Sequence, residues 1–255
     1  MRQDARAPFR AALERPRVAA YPTGEFVGQE SFMRVSEIRR LAGHARVGSR
    51  TSVLDVCCGV AGPGRLITAE FGCRYVGVDY SASTVEIARE LAGDLPCRFV
   101  QAKVPPLPDG RFDVVLLLET MLAFPDKRLL LADVVRVLEH GGRFAFTVEE
   151  GRPLTSAEQE LMPDADTVWL VELAELIALL RDVGLTVTWQ EECTASHHAI
   201  AASLLRSFGT EGEEIAQTIG GRPLAELIAA HGLWSDWLST GRVRKFAMVA
   251  EKRHR

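Results

Sequence analysis

The chain has 255 residues, 47% of them hydrophobic and 25% charged, enough to bury a sizeable core as one large domain or a domain with a cap. A net charge of −4 provides no overall basic field, which argues against a protein whose main work is gripping nucleic acid. Five cysteines with no C-x-x-C pair suggest neither a zinc site nor a disulfide framework, and no run reaches the roughly 18 apolar residues of a membrane span.

Residues 1–50 read as helices that precede a sheet. The N-terminus has arginines but also Asp4 and Glu14 and no apolar segment, so no secretory signal is expected and the chain is assigned to the cytoplasm. Tyr21–Gln29 is rich in turn residues and carries two aromatics, which suits a lid or an ordinary surface connection. Glu30–Ala45 spaces Phe32, Val35, Ile38, Leu41 and Ala42 as one face of a helix.

The centre of the sequence is Val53–Gly64, an apolar strand running into a turn of small residues, with a helix expected from near Arg65. Such a turn lets a ligand lie against bare backbone with a helix N-terminus behind it. Tyr75–Val78 is a second strand, closed by Asp79. Ser83–Leu91 is helical, with Ser81 or Ser83 as its cap, and Cys97–Gln101 is a short strand.

Phe112–Glu119 has the continuous apolar profile of a central parallel strand, with an acid at its end. A helix follows from Pro125 through Leu138, stopped by Gly141 and Gly142, and Arg143–Val148 is the fifth strand. Leu170–Asp182 reads as a helix with Gly184 as its stop. Leu185–Glu191 and Lys245–Ala250 read as the last two strands. Between them, His197–Gly241 is helical in pattern and too long for a mere connection. The basic residues Arg242, Arg244, Lys245, Lys252, Arg253 and Arg255 read as a solvated chain end. No repeat, low-complexity stretch or flexible linker interrupts the chain.

These residues carry a resemblance. Asp55, Gly59 and Asp79, the strand at Phe112 and the string R-V-L-E-H-G-G from Arg136 to Gly142 stand in the order and spacing of the Rossmann-like, class I S-adenosylmethionine-dependent methyltransferases. Cys57 and Ala61 replace the family's first and third turn glycines. Lys103 stands four residues before Leu107-Pro108 where the family has an acid, and Ala123 stands where several small-molecule methyltransferases have a histidine.

The resemblance implies a doubly wound α/β fold, with a seven-stranded, mostly parallel sheet, N-terminal helices and a helical cap before the last strand. Residues 51–192 and 242–255 would form the core and 193–241 the cap of a single domain. It also implies S-adenosyl-L-methionine as cofactor, held by Tyr21, Asp55, Cys57, Gly59, Pro63, Asp79, Tyr80, Gln101, Ala102, Lys103 and Glu119.

The acceptor expected is a small aromatic or hydrophobic metabolite, methylated at carbon, nitrogen or oxygen, against Trp169, Trp234 and Trp237. No metal, nucleic acid or membrane is implied, and a monomer or homodimer is expected. Glu150, His197 and His198 are the candidates for orienting or deprotonating the acceptor, because they fall near the C-terminal edge of the sheet. Two other classes stay open: a protein of this fold with a non-methylating activity such as a cyclase, and an NAD-linked oxidoreductase. The second is disfavoured by the turn, C-x-G-x-A-G rather than G-x-G-x-x-G, and by the lack of a Tyr-x-x-x-Lys pair.

Overall fold

A computed structural model describes residues 6–253. Seven strands form one sheet in the order β3-β2-β1-β4-β5-β7-β6. They are β1 (Ser52–Val56), β2 (Arg74–Asp79), β3 (Cys97–Gln101), β4 (Phe112–Leu117), β5 (Leu138–Glu150), β6 (Leu185–Glu192) and β7 (Arg244–Lys252). The sheet is parallel through β5, and β7 runs antiparallel between β5 and β6. Strand order reverses on either side of β1, so the crevice above the C-terminal ends of β1 and β4 is the switch point where such sheets bind ligands.

Ten helices accompany the sheet among the described residues: α1 (Arg6–Ala20), α2 (Val35–His44), α3 (Gly62–Phe71), α4 (Ala82–Ala92), α5 (Lys127–Val137), α6 (Ser156–Leu161), α7 (Leu173–Asp182), α8 (Thr194–Thr210), α9 (Gly212–Ile219) and α10 (Gly221–Thr240). One face of the sheet packs on α2, α3 and α4 through Ile38, Ile67 and Val85. The other packs on α5 and α7 through Leu130, Val134 and Leu176. Both faces are therefore apolar, as the unbroken hydrophobic runs of the parallel strands require.

The cap consists of α8, α9 and α10, and α1 joins it. Leu13 and Ala20 of α1 pack with Ile200, Leu204, Phe208 and Ile215 in a separate apolar cluster. The N-terminal segment is thus divided, with α1 on the cap and α2 on the sheet.

Several boundaries differ from the sequence reading for local reasons. The helix expected over Glu30–Ala45 begins only at Val35, because the Gln29 side chain ties Val27 N, Glu25 O and Met33 O into a loop and Glu37 accepts from Arg34 N as a cap. Helix α3 starts at Gly62 rather than near Arg65, since proline is tolerated in a first turn and Ala61 takes the capping position. Helix α5 ends at Val137 and β5 already begins at Leu138, paired with Phe112 before a register shift to Val114 and Arg143. Strand β4 stops at Leu117, two residues short of Glu119. Leu170 and Val171 are not helical, and Val171 bridges to Glu150 ahead of α7.

Candidate active site

The turn after β1 is built on alternating left-handed residues. Cys57, Gly59 and Ala61 have φ of +60°, +55° and +56°. Cysteine and alanine therefore adopt the backbone that the family's glycines provide, at a cost of about 1 kcal/mol each. Fixed contacts hold the turn there. Cys58 N donates to Val78 O, Ala61 N donates to Cys58 O, and Arg65 N donates to Ala61 O.

Asp79 closes the turn from β2. One carboxylate oxygen accepts from Gly59 N at 3.1 Å and the other from Ser81 N at 2.9 Å, while Ser81 caps α4. Around Asp79 stand partly exposed Cys57 and Gly59 and exposed Gln101 and Lys103, with Ala102 N bonded to Asp79 O. Tyr80 is 62% exposed, so its ring is no part of the core. A crevice of bare backbone with one buried carboxylate fits an adenosyl group, whose ribose brings two hydroxyl donors. Pro63 lies in the first turn of α3, partly exposed.

Asp55 lies one layer down. Its Oδ2 accepts a 2.6 Å hydrogen bond from Tyr75 Oη, and the Tyr75 ring lies beneath Gly64. Asp55 thus supports the turn from below, with only 3% of its surface exposed. Burial pushes its carboxyl up to about 7, aided by the charge of Asp79 and opposed by the Tyr75 hydrogen bond.

This carboxyl is raised in the folded state, so its contribution to stability is full below about pH 4, the unfolded value, and is lost as pH rises through about 7. Across that window the change is on the order of 4 kcal/mol. Asp55→Asn should flatten this part of the profile, which urea unfolding at pH 4.5 and 7.5 will read. An unaltered slope would mean that Asp55 is not the group responsible.

Beside the crevice is a second site that the sequence reading located only in part. A cavity of about 320 Å³ lies over the ends of β4 and β5, between the loop at Tyr21–Phe32, the segment Met162–Val168 and the cap. Its walls are Tyr21, Phe32, Leu122, Leu204 and Trp234, and its floor is Glu119, Glu149 and Lys245. Lys245, expected in a solvated chain end, is 2% exposed. It is the cross-strand partner of Glu149, and its ammonium pairs with both Glu149 and, at 2.9 Å, Glu119 Oε1. Burial works against that ammonium, and the two carboxylates outweigh it and raise its pKa. The other cations expected there are also engaged: Arg242 with Glu158, Arg244 with Glu150, Lys252 with Val135 O and Leu138 O, and Arg253 with Thr186. Asp4 and Arg255 lie outside the described residues.

Glu119 reaches this site through its backbone. Alternation along β4 sends Leu116 and Leu118 to the α2–α3 face and Leu117 to the other, so Glu119 would follow Leu117. Instead its φ is +61°, its N–H donates to Thr147 Oγ1, and its carboxylate lies with Lys245 and His197. A non-glycine residue held in this region marks a position its surroundings over-determine, as active sites often do. Burial alone would raise the Glu119 carboxyl, and Lys245 and His197 outweigh it and hold the pKa low.

Of the two adjacent histidines, His197 is fully buried and His198 is half-buried, off the cavity wall. His197 sits behind Glu119, its Nε2 3.5 Å from Glu37 Oε2 and its Nδ1 3.7 Å from Glu119 Oε2. Burial works to raise the Glu37 carboxyl, but His197, Ser196 Oγ and Arg34 N bring it down to about 2. Glu150 turns away into an ion pair with Arg244, because strand alternation gives the cavity to Glu149. Trp169 is 47% exposed with its indole N–H on Asp166 O, and Trp237 is core, edge-on to Trp234 at 5.4 Å. Only Trp234 of the three indoles lines the cavity.

Glu37, His231 and Lys245 were missed, and Glu149, one of the acids expected at the strand ends, was passed over for its neighbour Glu150. His231 lines the cavity from α10, three residues before Trp234 and so on its face of the helix, which is the signal the sequence carried. Its Nδ1 is 2.8 Å from Leu227 O, which makes that nitrogen the proton-bearing one, and its ring meets Phe32 and Phe208 edge-on.

Residues 54–146 match the family described as a methyltransferase domain. Tocopherol O-methyltransferase of Arabidopsis thaliana is 32% identical over 117 residues, covering 44% of this chain and 34% of that protein. The chain spans about a third to a half of the length of the first curated relatives it matches. Among solved structures, a phosphoethanolamine N-methyltransferase of Haemonchus contortus in complex with S-adenosyl-L-methionine superposes with a TM-score of 0.78 at 16% identity, over 96% of this chain and 60% of that one. A [4+2]-cyclase superposes with a TM-score of 0.75 at 18% identity, over 98% and 94%. Likeness at such identity shows the fold.

Proposed function

We propose that this chain, whose residues 54–146 match the methyltransferase domain family, binds S-adenosyl-L-methionine in the crevice above β1 and its neighbours β2 and β4 and methylates a small aromatic or hydrophobic molecule held in the adjoining cavity. The observation that carries this reading is the juxtaposition at Glu119. That residue stands two positions past the end of β4, the strand next to β1, and lines the cavity beside Lys245. The cofactor supplies an electrophilic methyl carbon, which asks the protein for alignment and exclusion of water more than for acid or base.

Asp79 would accept from the ribose, and the backbone at Cys57, Gly59 and Ala102 would face the adenosyl group. Glu119 would serve the cofactor side of the boundary. Trp234, Phe32 and Tyr21 supply flat apolar wall for the acceptor, and the loop Tyr21–Gln29 closes over it. Val27 O and Gly28 lie against Gly62, so that loop rests directly on the N-terminus of α3.

Asp79→Ala should weaken binding of S-adenosylhomocysteine by about 1 to 3 kcal/mol, the scale of losing charge-assisted hydrogen bonds. Calorimetry reads this directly, and unchanged affinity would remove Asp79 from the site. Trp234→Ala should leave that affinity unchanged, since the indole is assigned to the acceptor.

A further inference from the structure

Glu149 is 3% exposed and lines the cavity. Lys245 holds Oε1, while Oε2 is buried with no hydrogen-bond partner among the described residues. A buried carboxylate oxygen left without a partner is costly unless a ligand brings it a donor. The wall also carries an excess of one sign. Glu30, Glu119, Glu149 and Asp164 line the cavity against Arg17 and Lys245, and both cations are already paired: Arg17 with Glu30, Lys245 with Glu119 and Glu149. Behind the floor, Glu37 adds another carboxylate beside His197.

From this unpartnered oxygen and this balance of charge we infer that the acceptor is a basic amine on an apolar or aromatic body, docked as its ammonium on Glu149 Oε2. The inference rests on the methyl-transfer reading and specifies its substrate class. The apolar body fits against Phe32, Leu204 and Trp234, and a neutral alcohol of equal shape gives Glu149 a weaker donor without answering the charge.

An ammonium has no lone pair, so one N–H bond must break before its nitrogen can act as a nucleophile. His231 receives that proton at Nε2, which has no hydrogen-bond partner among the described residues, forming the Nε2–H bond of an imidazolium and leaving a neutral amine. Burial among Phe32, Phe208 and the helix, with Arg17 nearby, lowers its pKa despite the Leu227 carbonyl, which favours the neutral ring, and with Nδ1–H held by Leu227 O the Nε2 lone pair is the open acceptor.

The test uses the full chain loaded with S-adenosylhomocysteine, whose binding is measured first and stands or falls with the methyl-transfer reading. Tryptamine and 4-phenylbutylamine are then titrated beside tryptophol and 4-phenylbutanol. Each amine should bind about tenfold to a hundredfold tighter than its alcohol. Glu149→Gln should abolish that preference while leaving the affinity for S-adenosylhomocysteine unchanged. Alcohols binding as well as amines, no binding by either amine, or a preference that survives in Glu149→Gln would overturn the inference. Should the variant fail to fold, the wild-type ratio of amine to alcohol decides alone. Failure of S-adenosylhomocysteine to bind alongside a clear amine preference would sink the methyl-transfer reading and leave Glu149 as an amine site.

Discussion

Gly64→Ala should destabilise the protein by about 3 kcal/mol, the upper range for forcing an atom into a filled core. A Cβ at Gly64 would lie 2.2 Å from the Tyr75 Cζ and Oη atoms, well inside contact distance. The ring cannot step aside easily. It is 1% exposed, meets Phe99 edge-on at 5.9 Å, and is tied to Asp55 through its hydroxyl. The glycine is therefore required by the tyrosine beneath it, and Tyr75→Leu should recover part of the loss. Chemical denaturation of the two single variants and the double variant measures this as an interaction energy. Additive losses would show that ring and turn are not in contact.

Lys245→Met is expected to cost about 3 to 5 kcal/mol, the range seen when one partner of a buried ion pair is removed. The loss comes less from the missing attraction than from what remains: Glu149, buried, and Glu119, whose side chain is largely covered, with no cation between them. Without the ammonium, burial and mutual repulsion would raise at least one of those carboxyls above its unfolded value. The variant should consequently regain stability as pH falls towards 5 and lose it as pH rises, a slope the parent protein lacks at this site. Glu149→Gln in the Lys245→Met background should restore part of the loss at pH 7. If Lys245→Met is as stable as the parent at pH 7, the charges are not arranged as described.

The cofactor half of the fold was legible in the sequence because it is local. Strand, turn, helix and acid lie within some 25 residues from Val53 to Asp79, and their spacing alone orders them. The substitutions at Cys57 and Ala61 did not disturb the reading, since the backbone keeps the left-handed positions and only the side chains differ. The cavity was harder to read because its residues meet only across the sheet. Glu149 finds Lys245 through antiparallel pairing 96 positions apart, and Glu37 finds His197 from a helix at the other end of the chain.

Strand alternation could have chosen between Glu149 and Glu150, had the face of β5 that looks towards α2 been identified first. Thr147 and Glu149 lie on that face. Nothing local distinguishes a lysine that opens a buried antiparallel strand from one in a solvated tail, which is why Lys245 was grouped with its exposed neighbours. The indoles illustrate the same limit. Helical spacing put Trp234 and Trp237 on one side of α10, yet that side is broad enough for one ring to meet the cavity and the other the core.

Methyl transfer can be measured directly. Purified protein is incubated with S-adenosyl-L-methionine carrying a labelled methyl group and a panel of hydrophobic and aromatic amines, alcohols and phenols, and labelled product is measured together with S-adenosylhomocysteine. Acceptor-dependent release of S-adenosylhomocysteine is expected, with the label in the acceptor and strongly reduced in Asp79→Ala at limiting cofactor. Tight binding of the cofactor with no acceptor-dependent transfer across the panel would contradict methyl transfer.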